Sequence, residues 1–484
     1  MNMTKDPLLT RSKDSAAMLP YWDQVDAIMD GIKGMREACE DYFPRFTDES
    51  TEDYNLRLRM TKMTNVFRDI TEGLVAKPFE QAIMLVEDES DQDEIPQAIK
   101  DFTWNVDGAG NNMTVFAANV FFNGTANAVD WIMIDMPKRD PSIRSRADAQ
   151  RAGIRPYWSH VLARNVLEAK SEMRGNEEIL KYIRILEPGD PDRVRVFERG
   201  DNDVITWSLY EQRHNEETKQ QEMTLIDSDT LSGIQTIPLI PFYTGRRRGR
   251  SWYFDPALAD AADLQVELYQ QESGLKFAKT LTAFPMLAAN GITPPVGQDG
   301  KADYKIAVGP NRVLWGTPDP ATGKVGNFTY VQPNAETLKF LAEDIGATIQ
   351  MLRELGRQPL TAQSGNITVI TAAVAAGKAK SAVKAWAYKL KDVLETALNL
   401  TAKWMDEEYE ATVHVFTDFD DWMEADDLDA LSSARERRDI SAQTFWEELQ
   451  RRGVLSSNFS AEREETRLLD EEPSEPLDVS LTGG

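Results

Sequence analysis

Apolar residues between about Thr368 and Glu408 fall on one seam, with spacings that alternate between four and three residues. The seam consists of Ala372, Ala376, Ala379, Val383, Trp386, Leu390, Val393, Ala397, Leu400 and Trp404. A mean spacing of about 3.5 residues is typical of a helix that packs against other helices along its whole length. At a rise of about 1.5 Å per residue, this stretch predicts a helix about 60 Å long.

The part of the chain before residue 245 has the pattern of an α+β domain. Helical periodicity predicts helices over Leu19–Glu40, Thr51–Val75, Ile95–Val106 and Met113–Asn123, the last ended by Gly124. Short apolar runs bounded by turn residues predict strands at Ala128–Asp135, Ile179–Leu186, Val194–Glu198, Val204–Tyr210 and Glu222–Ile226. Regular spacing of the last four strands indicates an antiparallel sheet. Residues 155–169 fit either a helix or an extended chain.

Two further helices frame a segment rich in glycine and proline. Asp255 and Pro256 form a helix-start signal, with an acceptor cap before a proline at the first helical position. The returning helix is predicted from a cap at Asn334, with an apolar stripe at Leu338, Leu341, Ile345, Ile349, Leu352 and Leu355. Between these helices, runs such as KIAV, RVLW and FTYV predict a small strand-and-turn module. The basic cluster GRRRGR at 245–250 is interpreted as a solvated loop, with a phosphate-contacting role as the alternative.

The chain after the long helix is predicted to contain little regular structure. A strand is expected over Thr412–Phe416, followed by two short helices, Leu428–Arg438 and Ala442–Arg452, with Ser441 capping the second. Asp418, Asp420 and Asp421 follow the strand. They are interpreted as solvated acids, since no calcium-loop spacing surrounds them. The charged tail is expected to be disordered.

Composition narrows the functional classes. The 484 residues carry 80 acidic and 54 basic side chains, a net charge of −26, and a single cysteine, Cys39. The single cysteine excludes a disulfide framework and suits a reducing cytosol. No apolar run of membrane-spanning length and no signal-peptide pattern are found, so a soluble, intracellular protein is expected. A conventional duplex-binding protein gains affinity by neutralising phosphates, and this charge balance argues against one.

No motif for catalysis is found. The three histidines, His160, His214 and His414, are far apart and lack metal-ligand spacing. The sequence around Gly323 and Lys324 lacks the spacing of a phosphate loop, and neither a GxGxxG nor a GxSxG motif occurs in a suitable context. We therefore expect no enzyme activity, no cofactor and no metal site. A hydrolase using Asp418, Asp420 and Asp421 is the weakest alternative.

The order of these parts from 19 to 453 resembles the portal proteins of tailed bacteriophages, and most of all the uncharacterised portal-like subfamily. The resemblance lies in the phrases IPFYTGRRRGRSWYFDPALADAADLQVELYQQESGLKFA, QPNAETLKFLAEDIGATIQML and DISAQTFWEELQRRGVL, together with the polar loop and alanine-rich helix between the last two. No single phrase is as specific as a metal motif, but their ordered combination covers nearly the whole chain.

The resemblance implies a portal-type α+β protomer, mostly helical, with wing, stem, clip and a short helical crown. The implied parts are a flexible N-terminus (1–18), the wing (19–254), an outgoing stem helix (255–283), the clip (284–333), a returning stem helix (334–356), a tunnel loop (357–367), a long wing helix with a returning strand (368–423), the crown (424–455) and an acidic disordered tail (456–484). The crown is shorter than in long-crowned members of the family, so a large internal barrel is not expected.

The resemblance also implies a function and site residues. The chain would form a ring, usually of twelve copies, at one capsid vertex of a virion assembled in the host cytoplasm. Double-stranded DNA would pass through it without sequence specificity, driven by a separate terminase; the other partners would be capsid and scaffold proteins and head-completion or adaptor proteins, with no membrane. The DNA-facing tunnel loop would use Arg357, Gln358, Thr361, Gln363, Ser364 and Asn366. Lumen lysines would come from Lys276, Lys279, Lys378, Lys380 and Lys384, and subunit packing from Ala372, Ala376, Ala379, Val383 and Trp386.

A structural alternative has a different function. The chain could be a capsid-associated or scaffold protein that binds coat subunits without enclosing DNA. The order of helix, β module, helix, loop and long helix favours the conduit, because a scaffold has no need for a β module at the tip of two helices.

Overall fold

Contacts along the chain divide it into two compact units in the computed structural model. The first unit comprises Met1–Leu19, Thr71–Ala257 and Gln358–Gly484, and the second comprises Pro20–Ile70 and Leu258–Arg357. The structure describes residues 6–86, 95–137, 153–200, 202–214, 221–231, 233–283, 286–290, 326–331, 335–357, 369–417, 425–451, 455, 459–461, 463–464 and 467. The class is mixed α+β, as predicted. The names wing, stem, clip and crown stay predictions, and residues 20–70, predicted to belong with 71–254, cluster with the two central helices instead.

The helices and strands are numbered here in chain order. The helices are α1 (Lys13–Met29), α2 (Ile32–Glu37), α3 (Thr51–Arg59), α4 (Val66–Ala76), α5 (Gln97–Thr103), α6 (Met113–Asn127), α7 (Ala259–Ala283), α8 (Ala335–Arg357), α9 (Val369–Trp404), α10 (Ala425–Glu436) and α11 (Ala442–Arg451). The strands are β1 (Met84–Leu85), β2 (Val129–Asp135), β3 (Tyr157–Val161), β4 (Val166–Arg174), β5 (Glu177–Glu187), β6 (Arg193–Arg199), β7 (Ile205–His214), β8 (Gln221–Leu231), β9 (Leu239–Tyr243), β10 (Arg246–Arg247), β11 (Phe254–Asp255), β12 (Met286–Asn290), β13 (Asn327–Val331) and β14 (Val413–His414).

A five-stranded antiparallel sheet in the first unit confirms the prediction from the spaced apolar runs. Its strand order, β4-β5-β6-β7-β8, follows the chain, so each strand pairs with the next through a short connection. Val194 and Val196 of β6 are buried together with Leu167 of β4. Alternation along β6 places these valines on one face, because successive side chains in a strand point to opposite faces. The open segment 155–169 is extended and supplies β3 and the start of β4.

The described part of the predicted flexible N-terminus is anchored on this sheet. Residues 7–9 form a 3₁₀ helix whose Leu8 and Leu9 pack against the buried valines of the sheet. Arg184 is buried and donates hydrogen bonds to the carbonyl oxygens of Pro7, at 2.5 Å, and Thr10, at 2.6 Å. The described residues of this segment are therefore ordered against the sheet, although their polar sequence predicted a flexible N-terminus.

The long helix α9 begins and ends close to its predicted limits and packs within the first unit, to which it belongs. Along its described side chains, the predicted seam is buried at Val383, Leu390, Val393, Ala397 and Leu400. The core beneath it is the three-stranded sheet β3-β2-β9 with α6. In that core the indole of Trp158 donates a hydrogen bond to the Thr401 hydroxyl at 2.9 Å.

The strand predicted after the long helix pairs with an early segment of the chain. Residues Val413 and His414 of β14 lie opposite Leu85 and Met84 of β1, antiparallel. The Glu395 carboxylate of α9 accepts a hydrogen bond from the Val413 amide at 2.9 Å, which fixes the return of the chain onto the helix that precedes it.

The helix end predicted at Gly124 is wrong. Helix α6 ends at Asn127, and the next residue, Ala128, caps it with a φ of +72°. A Cβ atom at position 124 would lie 2.4 Å from the ring of Phe242 on β9. The glycine therefore serves a close approach between a helix and a ring, and tertiary packing outweighs its tendency to end helices.

The helix start predicted at Asp255 is also wrong. Asp255 lies in β11 opposite Arg246, and its carboxylate accepts a hydrogen bond from Arg248 at 2.7 Å. Helix α7 begins four residues later, at Ala259. Because the β10–β11 pairing places the Asp255 carboxylate beside the Arg248 guanidinium, the carboxylate is bound there and does not cap the helix.

In the second unit, two predicted long helices are interrupted. Gly31, with φ +69°, separates α1 from α2, and residues 60–65 separate α3 from α4. The second interruption is held by α7, because buried Gln265 accepts hydrogen bonds from the amides of Val66 and Phe67 and donates to the carbonyl of Thr64. The helices α7 and α8 pack together, and β12 pairs with β13 in this unit. The rest of the predicted strand-and-turn module lies outside the described residues.

Candidate functional site

Most predicted DNA-facing residues fall outside the described part of the chain. This holds for Gln358, Thr361, Gln363, Ser364 and Asn366 of the predicted tunnel loop, and Arg357 is the last residue of α8, with only its backbone described. The predicted lysines Lys378 and Lys380, like the predicted packing residues Ala372, Ala376 and Ala379, lie in α9, again with only their backbone described. Asp418, Asp420 and Asp421 are likewise outside the described residues.

Three predicted residues on the described part of α9 can be placed. Val383 is buried with 2% of its surface exposed, Trp386 is half-buried, and Lys384 between them is also half-buried. Val383 thus contributes to the packing of its own chain. Its role between subunits, like that of Trp386, stays a prediction.

The structure brings the other two predicted lysines, Lys276 and Lys279, to one groove in the second unit. Both side chains are exposed on α7 and line a groove of about 390 Å³. The remaining lining residues are Lys62, Glu272, Leu275, Thr280 and Ile345. The groove therefore combines lysines with an apolar floor from α7 and α8.

One face of α7 is covered by the part of the chain that contains Phe43 and Lys62. This covering segment ends part-way along the helix, and the groove lies beyond its end. Tyr269 is fully buried with its ring 5.6 Å from that of Phe43, and Ser273 accepts a hydrogen bond from the Lys62 amide at 3.2 Å. Lys276 and Lys279 follow one and two turns later on the same side of the helix, where this cover has ended. Their exposure is thus set by the length of the covering segment.

The lysines of the groove are electrostatically unequal. Lys62 lies 3.0 Å from the carboxylate of Glu272, which also accepts hydrogen bonds from the amide (2.6 Å) and hydroxyl (2.7 Å) of Thr64. Among the residues that the structure describes, neither Lys276 nor Lys279 forms an ion pair with an acid. The groove therefore presents two positive charges beside an apolar floor, an arrangement that suits a carboxylate or phosphate carried on an apolar body.

Lys62 was missed by the sequence reasoning. It lies 210 positions from Glu272 in the chain, and no local motif connects the two. A search for acidic residues on the buried face of α7 would have predicted that Glu272 needs a partner, but not which one.

The basic cluster at 245–250 is partly neutralised. Arg247 forms an ion pair with Glu178 at 2.6 Å and lies over the ring of Trp252, and Arg248 pairs with Asp255. Arg246 and Arg250 are exposed. Two of the arginines in the cluster, Arg247 and Arg248, therefore form ion pairs within their own unit, which weakens the alternative that the cluster contacts phosphate.

The described residues contain no group of three or more histidine, cysteine or acidic side chains able to hold a metal ion. His160 contacts the buried carboxylate of Asp130, and burial raises the pKa of Asp130 to about 6. This pair lies on neighbouring strands β3 and β2 under Phe116, which indicates a structural role.

Comparisons with known proteins give limited information. Residues 257–405, from the start of α7 to the end of α9, match a family described as "Domain of unknown function (DUF4055)". This match covers less than half of the chain and carries no activity with it. A search of curated protein sequences gives no match.

The solved structures that match include one described as the neck of native GTA particle computed with C12 symmetry. It matches with a TM-score of 0.34 and 11% identity over 84% of this chain and 89% of that chain. A likeness at this TM-score fixes neither the fold nor the assembly of the present chain. Among the helices of the described residues, none has the length and apolar content that a bilayer crossing requires.

Proposed function

We propose that this chain is the protomer of a ring-shaped portal at one vertex of a tailed-phage-like virion, through which double-stranded DNA enters and leaves. The observation that carries the proposal is the order of elements from 259 to 404. Helix α7 leads to the paired strands β12 and β13, α8 follows, and after a polar segment comes the 36-residue helix α9. This is the order that the sequence resemblance to portal proteins requires.

Charge supports a conduit more than a DNA-binding surface. A chain of net charge −26 repels phosphates from most of its surface, so DNA would slide past it with little adhesion. Exposed lysines such as Lys276 and Lys279 would then offset the barrier locally. The polar residues of the predicted tunnel loop would meet the DNA backbone by hydrogen bonds that are independent of base sequence.

In this proposal the chain has no catalytic activity and needs no cofactor. A separate terminase would hydrolyse ATP and drive the DNA through the ring. Capsid and scaffold proteins would surround the ring, and head-completion or adaptor proteins would dock after packaging.

Negative-stain microscopy of the purified full-length chain tests the ring. Rings with a central hole are expected at micromolar concentration. Particles that remain monomeric at high concentration, or oligomers without a hole, would contradict the conduit, and the second outcome would favour a scaffold protein.

Deletion of residues 358–366 tests the role of the predicted tunnel loop. The deleted chain is expected to form the same rings, while packaging or retention of DNA in particles falls. Normal DNA content in particles built with the deleted chain would remove this role from the loop.

A further inference from the structure

Helix α8 exposes an apolar stripe that its packing within the chain does not use. Phe340 is 67% exposed, Met351 54% and Leu355 38%, and their spacing places them on one side of the helix. The face that packs toward the interior carries Thr348, at 7% exposure, and Leu352, at 0%. Leu355, which belongs to the apolar stripe predicted for this helix, is therefore on its exposed side. Three large exposed apolar side chains in line on one helix indicate an interaction surface.

Carboxylates lie beside this stripe. Asp344 is on the stripe itself, and Glu343 and Glu354 flank it. The side chain of Glu343 is 66% exposed and forms an ion pair with Lys339 at 3.6 Å, so this edge carries three acids and one paired lysine. Arg353 lies two residues from Met351 and therefore on the far side of the helix, since each residue turns the helix by about 100°. The stripe is thus apolar with acidic edges, whereas the groove of Lys276 and Lys279 is apolar with basic edges.

The stripe and the groove lie on different sides of the α7–α8 pair. On one side, Asp344 accepts a hydrogen bond from Gln271 of α7 at 3.2 Å. The α7 residues that line the groove, from Glu272 to Thr280, lie between about 40° and about 180° around the helix axis from Gln271, centred about 110° away. Two complementary surfaces on different sides of one unit join copies head to tail, and a head-to-tail contact that closes produces a ring.

We propose that the α8 stripe of one copy, Phe340, Met351 and Leu355, packs into the α7–α8 groove of the next copy, over Leu275 and Ile345. Glu343 and Glu354 then face Lys276 and Lys279 of the neighbouring copy. The inference rests on the proposed function, because it names the contact that would build the ring. The partner is a second copy of this chain, since the chain itself carries both matching surfaces.

The test uses full-length chains with one surface damaged at a time. The stripe variant is Phe340→Glu with Met351→Glu, the groove variant is Lys276→Glu with Lys279→Glu, and Leu56→Glu is the control. Leu56 is an isolated apolar residue of the same unit with 50% exposure, close to that of Met351. Sedimentation velocity is expected to show self-association at least about 30-fold weaker for each damaged surface, the equivalent of about 2 kcal/mol, and no change for the control.

Mixing the two variants tests complementarity directly. The intact stripe of the groove variant fits the intact groove of the stripe variant, so an equimolar mixture is expected to form dimers and nothing larger. A mixture that stays monomeric, or variants that assemble as the wild type does, would overturn the inference.

A charge reversal covers the case in which the glutamates in the stripe disturb folding. Glu343→Lys with Glu354→Lys is expected to weaken assembly, and combination with the groove variant in one chain is expected to restore it. Failure to restore assembly counts against the contact. If the wild type forms rings and all variants do too, only this contact is wrong; if the wild type never assembles, the proposed ring is wrong as well.

Discussion

Gln265 contributes to the stability of the second unit although its side chain is polar. It is fully buried, and its amide makes three hydrogen bonds of 2.9 to 3.0 Å to backbone groups of residues 64–67. Gln265→Met keeps the side-chain volume but leaves those groups unpaired, so we expect a loss of about 2 to 4 kcal/mol in the free energy of unfolding. Urea denaturation measures it. Gln350→Met, on exposed α8 surface, should change stability by less than about 0.5 kcal/mol.

The buried carboxyl of Asp130 makes a pH-dependent contribution to stability. Burial raises its pKa from 3.8 to about 6, against the opposing effects of His160 and of the Trp131 and Ala163 amides. A raised pKa means that the protonated carboxyl favours the folded state, fully so below about pH 4, and that this contribution is lost as the pH rises through 6. We expect the stability of the wild type to fall relative to Asp130→Asn between pH 4 and 6.5, by up to about 3 kcal/mol.

Urea denaturation of both proteins at pH 4, 5, 6 and 6.5 measures this difference. A difference between wild type and Asp130→Asn that stays constant over that range would show that Asp130 keeps one protonation state. His160 contacts Asp130 and lowers its pKa. In a His160→Gln background, the difference between the protein with Asp130 and its Asp130→Asn derivative should therefore remain pH-dependent and move to higher pH, which assigns the effect to Asp130.

Individual contacts of this kind could not be predicted from the sequence. Gln265 and Lys62 acquire their roles from partners about 200 positions away, and nothing in the surrounding residues specifies those partners. The groove lysines Lys276 and Lys279 were predicted as lumen lysines from the resemblance to portal proteins, and no pattern around them indicated a groove. Their exposure came from where the covering segment ends, which only the folded chain decides.

At the scale of elements, a substitution at Gly124 tests whether the contact between α6 and the Phe242 ring outweighs helix propensity. Alanine has the higher helix propensity by about 1 kcal/mol, but its Cβ would lie 2.4 Å from the Phe242 ring. Since overpacking of a core costs about 1 to 3 kcal/mol, we expect Gly124→Ala to destabilise the protein. Thermal unfolding followed by circular dichroism measures the change.

Gly73 in α4 is the matched control for this substitution. A Cβ at position 73 meets no atom within 4 Å, so the propensity term acts alone. Gly73→Ala should raise the stability by up to about 1 kcal/mol. Equal effects of the two substitutions would show that propensity, not the Phe242 contact, governs position 124.

Local patterns predicted the long helix and the strands of the larger sheet. The seam of α9 was found because a repeated spacing covers many residues, and β5 to β8 were found because apolar runs are bounded by turn residues. Element ends were missed where a side chain elsewhere competes with local signals. Asp255 is taken by Arg248, and the break between α3 and α4 is set by Gln265.

At the scale of the whole chain, the sequence identified an order of parts but not their grouping. Residues 20–70 cluster with α7 and α8, although they precede the sheet in the chain and were predicted to belong with it. Long-range grouping depends on which apolar surfaces match, and composition does not record this. The order α7, β12–β13, α8 and α9 was recoverable because it is continuous in sequence.

The net charge of −26 leads to a prediction about the affinity for duplex DNA, and this affinity distinguishes a conduit from a DNA-binding protein. Non-specific DNA-binding proteins hold duplex DNA with dissociation constants of about 10⁻⁴ to 10⁻⁶ M at physiological salt. Because the charge of this chain repels phosphates, we expect weaker binding than that to a 30-base-pair duplex at 150 mM salt, measured by fluorescence anisotropy. The assembled chain should behave in the same way as the monomer, since a passage must release the DNA that it conducts. Micromolar binding that weakens steeply with added salt would mean that the basic residues form a continuous phosphate-binding surface, and the sliding conduit would then give way to a DNA anchor.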